Sequence, residues 1–244
     1  MKLNEHKAIL NPKVLLVPYS KHHVPTYHSW MQDEDLQIAT ASEPLTLLQE
    51  YDMQTSWRDD ADKLTFIACA NSAVSSSEEL QDGRLKIIPG KDDSPTTMIG
   101  DVNLFLYGDH EDEDENKTTN GVNMEKGQQA VVGEIEIMIA RKDLQGQGLG
   151  KSVLSSFLWY IASYLPEILH EYHGSHGGAK SGGHLKYLRV KIDEGNVRSI
   201  KLFESVGFRK VSESPNYFKE LELRWVLSDI RQMYDTTTRI VDYA

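Results

Sequence analysis

A glycine-rich turn between an apolar segment and an amphipathic segment is the part of this sequence best suited to chemistry. The turn reads Gln-Gly-Gln-Gly-Leu-Gly over 145–150. Residues 131–140 before it are rich in β-branched side chains and predict a buried strand, and 149–165 after it predict a helix. Backbone N–H groups at a helix start lack internal partners and carry partial positive charge, and glycines let them surround a phosphate. The turn therefore predicts an anion site.

Several kinds of turn compete for this pattern. A Rossmann site needs G-x-G-x-x-G and an acidic residue about 20 positions further on; here the glycines are 146, 148 and 150, and position 170 falls in a His/Gly-rich stretch. A P-loop needs a glycine where Gln145 stands, although Gly150-Lys151-Ser152 ends like one. The pattern Q/R-x-x-G-x-G fits, and a plain glycine-rich turn is the structural alternative. Lys151, with Arg141 and Lys142 before the turn, adds positive charge.

A second segment resolves the choice. After a predicted strand at 187–192, the chain reads Asn196-x-x-Ser199-x-x-Leu202-Phe203-Glu204-x-x-Gly207-Phe208. Together with the glycine turn, this resembles the GCN5-related N-acetyltransferase (GNAT) superfamily, whose turn of this kind holds the pyrophosphate of coenzyme A. Phe203 departs from the pattern, since many members have Tyr there.

The N-terminal half narrows the resemblance. Val14-x-Leu-Val-Pro-Tyr, Ala41-Ser-Glu-Pro-Leu-Thr and Gly100-Asp-Val-Asn-Leu-Phe-Leu are similar to segments of N-acetyltransferase 9-like proteins, and the likeness extends from Met1 to about Trp225. It implies an α/β (α+β) fold with a mixed, mostly antiparallel central sheet and helices on both faces. It also implies an amine acetyltransferase with acetyl-CoA as co-substrate. An amine of a protein or peptide is the favoured acceptor, with an N-terminal amine, a lysine and a small amine all left open. Because Cys69 is not a credible nucleophile, direct attack in a ternary complex is expected.

The resemblance assigns coenzyme contacts residue by residue. Backbone groups of Met138, Ile139 and Ala140 would contact pantetheine. The pyrophosphate would lie against Gln145, Gly146, Gln147, Gly148, Leu149, Gly150 and Lys151. Asn196 and Phe203 complete the predicted coenzyme site, although Asn196 is equally suited to begin a helix as its N-cap.

Acetyl transfer to an amine needs a base that removes a proton. Glu134 and Glu136 are the candidates, because strand alternation places both on the face opposite Ile135 and Ile137. A β-bulge would change this parity, and two glutamates on a wet strand face are the structural alternative. The leaving thiolate also needs a proton, which Phe203 cannot donate; Tyr217 is a weaker candidate. A protein that binds acetyl-CoA but acts mainly as an interaction or cytoskeletal-regulatory factor therefore remains the rival hypothesis.

Composition limits the other functions. The net charge of −11 argues against general nucleic-acid binding. The single cysteine, Cys69, precludes an internal disulfide, and no apolar run reaches about 18 residues, so we expect a cytoplasmic protein without a membrane span. His170, His173 and His176 could chelate a metal, but a flexible loop is favoured and no metal is expected. Three further histidines, His22, His23 and His28, could contact a substrate. We favour the alternative that they are exposed on an amphipathic surface helix.

One acetyltransferase domain is expected over residues 1–226. Polar or low-complexity stretches near 71–84, 108–129 and 170–184 are interpreted as loop insertions. Residues 227–244 are expected to form a helical or loose C-terminal tail.

Overall fold

The fold is built on one ten-stranded sheet. A computed structural model describes residues 1–71, 85–109, 130–176, 183–226 and 237–244. The strands are β1 Lys7–Leu10, β2 Val14–Pro18, β3 Lys63–Ala70, β4 Lys86–Ile87, β5 Met98–Gly108, β6 Val131–Ile139, β7 Leu185–Asp193, β8 Arg209–Lys210, β9 Glu220–Val226 and β10 Arg239–Tyr243. Their order is β4-β10-β1-β2-β3-β5-β6-β7-β9-β8. Neighbours are antiparallel except β6 with β7 and β10 with β4, so the expected mixed, mostly antiparallel sheet is confirmed.

Helices cover both faces of the sheet. The α-helices are α1 Val24–Trp30, α2 Glu34–Thr40, α3 Leu47–Asp59, α4 Leu149–Ser175 and α5 Val197–Glu204, with 3₁₀ turns at Lys21–His23 and Lys142–Leu144. The core on one face joins α4 and α5 to the sheet through residues such as Phe157 and Phe203. The core on the other face joins α1 and α2 to the sheet through residues such as Tyr27 and Leu36.

The parallel pair β6–β7 opens part of the way along its length. Its ladder runs from Val131 opposite Leu185 to Glu134 opposite Arg189. Beyond that point β6 continues beside β5 as far as Ile139, while β7 continues beside β9 as far as Asp193. Among the described residues, the two strands therefore diverge around a wedge, and the wedge points toward the glycine turn.

Helix α4 begins directly after the glycine turn and crosses one face of the sheet. Residues including Val153, Leu154, Phe157 and Ile161 are buried at helical spacing, as the sequence predicts. Tyr164 has non-helical angles (φ −118°, ψ 19°) two residues before Pro166, because a proline clashes with the preceding helical turn. The anchored first half of α4 holds its N-terminus rigidly beside the end of β6.

The structure corrects several boundaries. Lys7–Leu10, which the sequence analysis did not identify as a strand, is β1 and precedes the predicted first strand. The expected loop at His170 is wrong at its start, because the last turns of α4 extend to Ser175. The expected helical or loose tail is also wrong where the structure describes it: β10 pairs with β1 and buries Val241 and Tyr243.

The remaining parts of the expected insertions, 72–84, 110–129 and 177–182, lie outside the described residues, as does the segment 227–236 of the tail. No helix within the described ranges is long and apolar enough to span a membrane.

Candidate active site

The wedge exposes backbone groups of β6 that have no neighbouring strand. The Ala140 N–H donates to the carbonyl of Ile99 in β5 (2.8 Å), whereas the Val131 N–H donates to the carbonyl of His184, directly before β7 (2.9 Å). Backbone groups alternate in direction along a strand, so Ile137 and Ile139 turn theirs toward the wedge. An extended ligand could therefore bind β6 like an added strand.

This alternation redistributes the predicted pantetheine contacts. Met138 and Ala140 face β5 with their backbone groups, so their geometry does not suit the contacts predicted for them. Ile139 faces the wedge as the prediction requires, and Ile137 joins it although the sequence analysis did not include it. The sequence predicts that backbone groups alternate along this strand. Only the observed hydrogen bonds show which residues turn theirs toward β5 and which toward the wedge.

The glycine turn has a backbone shape that favours glycine. Gly146 and Gly148 both have φ near +80°, a left-handed conformation that costs other residues about 1–2 kcal/mol. Gly150 does not have the left-handed conformation of the other two glycines. A Cβ there would make ordinary van der Waals contacts with Leu202 (3.5 Å) and Ile139 (3.7 Å). The turn delivers the chain to the first N–H groups of α4, which have no intrahelical acceptors.

Gln145 ties the turn to two neighbouring elements. Its Nε2 donates to the Ile139 carbonyl at the end of β6 (2.8 Å), and its Oε1 accepts from Arg198 Nη1 of α5 (2.9 Å). The first residue of the motif therefore fixes both the strand end and a cation beside the glycines.

Three cations surround the turn. Arg198 Nη2 lies 3.5 Å from a Cβ built on Gly146, and Lys13 Nζ lies 3.8 Å from one built on Gly148. Lys151 stands in the first turn of α4, with its Nζ 3.5 Å from the Ser205 carbonyl. Sequence reasoning missed Lys13 and Arg198, because the fold brings them to the turn from distant positions in the chain. Glycines, free helix N–H groups and cations together fit a pyrophosphate.

The positive charge attributed to Arg141 and Lys142 is already neutralised. Arg141 makes a bidentate contact with Asp143 (2.8 and 2.7 Å). Lys142 bridges Asp33 (2.7 Å) and Asp35 (2.8 Å) at the N-terminus of α2. The contact with Asp33, then that with Asp35, raises the pKa of Lys142 to about 12. These two residues fasten the turn to its surroundings.

The remaining predicted coenzyme residues have structural partners. Gln147 Nε2 donates to the Asp143 carbonyl (3.0 Å), and Leu149 packs against the α4 core. Asn196 is the N-cap of α5, with its Oδ1 accepting from the Ser199 N–H (3.1 Å). Phe203 is 1% exposed and packs edge-on against Phe208, so its ring has almost no surface open to a ligand.

The two candidate bases differ in their surroundings. Both lie on the sheet face covered by α1–α3, since Glu134 pairs with Phe105 and Glu136 with Asn103 across β5. Glu134 Oε2 accepts from Arg189 Nε (2.7 Å) and lies 3.6 Å from Lys191 Nζ. Glu136 remains exposed to solvent. Desolvation by the surrounding protein, followed by the charges of Asp101 and Glu134, raises its pKa to about 7, while Lys191 opposes the shift.

A carboxylate ionised near pH 7 and open to solvent is suited to accept a proton at neutral pH. Glu134, by contrast, is held in ion pairs by two cations. The geometry therefore favours Glu136 as the base of the pair.

A buried polar network adjoins Glu136. Asp101 Oδ2 accepts from Asn103 Nδ2 (2.9 Å) and from the Tyr27 hydroxyl (3.3 Å). Asp101 is 2% exposed, and this burial raises its pKa to about 6. The motif Gly100-Asp-Val-Asn contained both polar residues, but only the fold brings Tyr27 to them.

A cluster of His22, His23 and Asp93 could in principle hold a metal. Asp93 Oδ2 lies 3.0 Å from His22 Nε2, 2.9 Å from His23 Nε2 and 2.6 Å from the Tyr243 hydroxyl. The Ser20 N–H donates to His23 Nδ1 (3.0 Å), so the proton of the neutral ring is on Nε2, where it donates to Asp93. A metal at Nε2 would require the opposite tautomer, so this donor set does not fit a metal ion.

The sequence predicts that His22, His23 and His28 are exposed on a surface helix, and this prediction is wrong for His23. His23 is fully buried, and desolvation lowers its pKa although Asp93 opposes the shift. His28 is half-buried, with its Nδ1 3.8 Å from Glu50 Oε1.

Tyr217 is 94% exposed on the turn before β9. Cys69 is fully buried in β3, and burial raises the pKa of its thiol.

A splayed parallel pair beside a glycine turn at a helix N-terminus is the arrangement expected of a GNAT acetyltransferase, and comparison with known proteins identifies that family. Residues 13–209 match the family described as "Acetyltransferase (GNAT) domain". The spermidine N-acetyltransferase of Vibrio cholerae, solved with CoA and spermine, superposes with a TM-score of 0.54 at 12% identity, covering 93% of this chain and 99% of that one. An aminoglycoside acetyltransferase AAC(6')-Ib in complex with coenzyme A gives 0.53 at 12%, covering 91% and 99%. At these identities the two structures show the fold alone.

Relatives that are similar in sequence identify the branch of the family to which the chain belongs. An N-acetyltransferase 9-like protein of Schizosaccharomyces pombe is 39% identical over 229 residues, covering 91% of this chain and 97% of the relative. The human alpha/beta-tubulin-N-acetyltransferase 9 is 39% identical over 230 residues, covering 94% and 87%. The chain belongs to the GNAT acetyltransferase family and, within it, to the N-acetyltransferase 9-like proteins. It is an N-acetyltransferase of a family that uses acetyl-CoA.

Proposed function

We propose that this protein transfers the acetyl group of acetyl-CoA to an amine of a protein, by direct attack in a ternary complex. The observation that carries the proposal is the position of Glu136: an exposed carboxylate on the strand that borders the wedge, next to Glu134, which is already held in ion pairs. Glu136 is suited to take a proton from the incoming ammonium, after which the neutral amine attacks the thioester carbonyl.

The coenzyme would lie along β6 and end at the glycine turn. Backbone groups of Ile137 and the N–H of Ile139 would hold pantetheine, because the Ile139 carbonyl already accepts from Gln145. The turn, Lys13, Lys151 and Arg198 would hold the pyrophosphate. Backbone donors at the wedge would also stabilise the oxyanion of the tetrahedral intermediate.

Direct attack is supported by the state of the cysteine. An acetyl-enzyme needs an accessible, activated nucleophile, and the Cys69 thiol is fully buried with a raised pKa. We therefore expect no acetylated intermediate on this residue.

A protein acceptor is supported by the names of the human, mouse and fly relatives, which specify alpha- and beta-tubulin. The acidic charge of −11 independently favours a basic acceptor segment. Tubulin is thus the first acceptor to test, beside unrelated peptides with a free N-terminus or an internal lysine.

Phe203 favours a second candidate, an acetyl-CoA-binding interaction protein with weak catalysis. Its phenyl ring cannot protonate the leaving thiolate, and it is packed against Phe208. Under the favoured hypothesis, water or another group donates this proton.

The deciding experiment titrates the protein with acetyl-CoA in a calorimeter and then follows release of free coenzyme A on adding tubulin or peptides. Binding with acceptor-dependent release supports the transferase. Binding without release from any acceptor favours the second candidate, and absence of binding contradicts the assignment of the glycine turn.

A further inference from the structure

Three polar side chains form a row across the sheet, on the face covered by α1–α3. Thr65 of β3 is the register partner of Asn103 in β5, and Asn103 is the register partner of Glu136 in β6. Directly opposed residues on antiparallel strands have Cβ atoms about 5 Å apart. Asn103 is therefore the nearest cross-strand neighbour of the proposed base.

The orientation of the Asn103 amide is fixed. Its Nδ2 donates to Asp101 Oδ2 (2.9 Å), and the Tyr27 hydroxyl donates to the same oxygen (3.3 Å). A carboxylate only accepts hydrogen bonds, so the NH₂ end of Asn103 must face Asp101. The carbonyl oxygen Oδ1 is consequently held turned away from Asp101.

That oxygen lacks a partner. Asn103 is 4% exposed, yet within the described part of the chain no group donates to its Oδ1. A buried acceptor without a donor costs about 1–3 kcal/mol, so such atoms are uncommon and call for an explanation. The hydroxyl of Thr65, the register partner of Asn103, also lacks a hydrogen bond among the described residues. A ligand that brings an N–H donor to this row would supply the missing donor of Asn103.

The surrounding charge favours a cation. Asp101 and Glu136 lie on this face, and Glu50 of α3 is 1% exposed with its Oε2 also lacking a hydrogen bond among the described residues. The charged groups that act on Glu136 are Asp101 and Glu134, which raise its pKa, and Lys191, which lowers it. Glu134 already holds Arg189 and Lys191, so the uncompensated charge lies toward Asp101.

We propose that Asn103 Oδ1 binds an N–H of the acceptor's primary amine beside Glu136, and that Asp101 and Tyr27 are positioning residues that hold Asn103 in this orientation. The proposal rests on the proposed function. The ammonium donates one hydrogen bond to Asn103 and gives one proton to Glu136. The lone pair that this frees forms the C–N bond, and the C–S bond breaks as the thiolate leaves. The nitrogen then loses its second proton, which passes through water to the thiolate and gives the amide and the free thiol.

The arrangement selects by the number of N–H groups. A primary amine that has given one proton to Glu136 keeps two, one for Asn103 and one to lose after attack. A secondary amine keeps a single N–H for both purposes. The site should therefore prefer an ordinary free amine to an N-terminal proline or an N-methylated amine.

The test compares Asn103→Ala with Asn4→Ala. Asn4 is a matched control because it is 1% exposed but both ends of its amide are bonded, to the Thr65 carbonyl (2.9 Å) and from Arg58 Nη1 (2.8 Å). Coenzyme A release is measured against the concentration of the best wild-type peptide. Asn103→Ala should raise the KM for peptide about 10- to 100-fold, as for a lost hydrogen bond to a charged group, and leave acetyl-CoA affinity unchanged.

Tyr27→Phe keeps the ring and removes only the hydroxyl that holds Asp101. It should raise the peptide KM by less than Asn103→Ala does, with acetyl-CoA affinity again unchanged. If Asn103→Ala does not fold, an unchanged peptide KM in Tyr27→Phe overturns the inference. An unchanged peptide KM in a folded Asn103→Ala, or an equal rise in Asn4→Ala, overturns the inference while the proposed function stands. A wild-type protein that releases no coenzyme A with any peptide overturns both.

Discussion

The side-chain amide of Gln145 bonds the carbonyl of Ile139 at 2.8 Å, so the first residue of the glycine turn is fastened to the last residue of β6. The same side chain accepts a hydrogen bond from Arg198. One glutamine thus positions the strand end, the turn and a cation on α5. The proposed pyrophosphate site and the end of β6 are therefore coupled at this point.

Gln145→Ala should weaken acetyl-CoA binding about tenfold, because it releases Arg198 and leaves the Ile139 carbonyl without its donor. Calorimetric titration of the variant measures this directly. Gln37→Ala is the matched control, since Gln37 likewise donates its side-chain amide to a backbone carbonyl, that of Met31 (2.7 Å), but lies on α2 outside the predicted coenzyme contacts. An equal loss of affinity in both variants would contradict the special role of Gln145.

Gly148→Val should abolish measurable coenzyme binding while the protein remains folded. The residue has φ near +80°, and a side chain there would project toward Lys13 beside the turn. Gly90→Val controls for backbone strain, because Gly90 has φ +78° with nothing within 4 Å of its Cβ position. Both variants should lose stability in thermal unfolding, and unchanged coenzyme affinity in Gly148→Val would refute the assignment of the turn.

Glu136→Gln should lower kcat about 10²- to 10⁴-fold with acetyl-CoA affinity unchanged, because the amine loses its base. In the wild type, kcat/KM should fall tenfold per pH unit below the Glu136 pKa of about 7, where the carboxylate becomes protonated. Glu134→Gln should keep the tenfold fall per pH unit but move it to lower pH, because the charge of Glu134 contributes to the raised pKa of Glu136. A pH profile for wild type that is flat between pH 5 and 8 would exclude Glu136 as the base.

Added zinc, or its removal with EDTA, should leave the melting temperature unchanged. The His22, His23 and Asp93 cluster is a hydrogen-bonded unit in which the His23 Nε2 already donates to Asp93. Differential scanning calorimetry with and without chelator measures this. Stabilisation by zinc in wild type but not in His22→Ala would show that the cluster does bind metal.

Two buried aspartates should have opposite effects on the pH dependence of stability. Burial raises the pKa of Asp101 from 3.8 to about 6, so its contribution is favourable below 3.8 and is lost as pH rises through 6. The free energy of unfolding of Asp101→Asn, measured with urea and compared with that of wild type, should therefore rise by up to about 3 kcal/mol from pH 3.5 to pH 7.5.

Asp93 is the control of opposite sign. Burial alone would raise the pKa of Asp93, but hydrogen bonds from His22, His23 and Tyr243 bring it well below its usual range. The ionised Asp93 therefore stabilises the folded protein above pH 3.8, the pKa of an ordinary aspartate, and this stabilisation is lost as the pH falls below it. Asp93→Asn lacks this stabilisation, so its free energy of unfolding should fall relative to that of wild type as the pH rises. Parallel pH trends in the two variants would contradict these assignments.

Much of the fold could be predicted from local patterns. The strands around Val131–Ile139 and Leu185–Asp193, the capping box of Thr46 with Gln49 and the helix after the glycines all follow from periodicity and backbone chemistry. Strand β10 was missed because its apolar run is short, and its burial depends on pairing with β1 at the other end of the chain.

The sequence by itself determined the glycine turn, the family resemblance and the alternation that places Glu134 and Glu136 on one face. These depend on neighbouring residues and on backbone conformation, which short stretches of sequence encode. The tertiary structure decided which charges are available: Lys13 and Arg198 reach the turn, while Arg141 and Lys142 are neutralised by acids. It also left Glu136 open beside Asn103 and paired Glu134 with Arg189. Charge and hydrogen bonding depend on contacts between distant segments, and only the folded chain establishes those contacts.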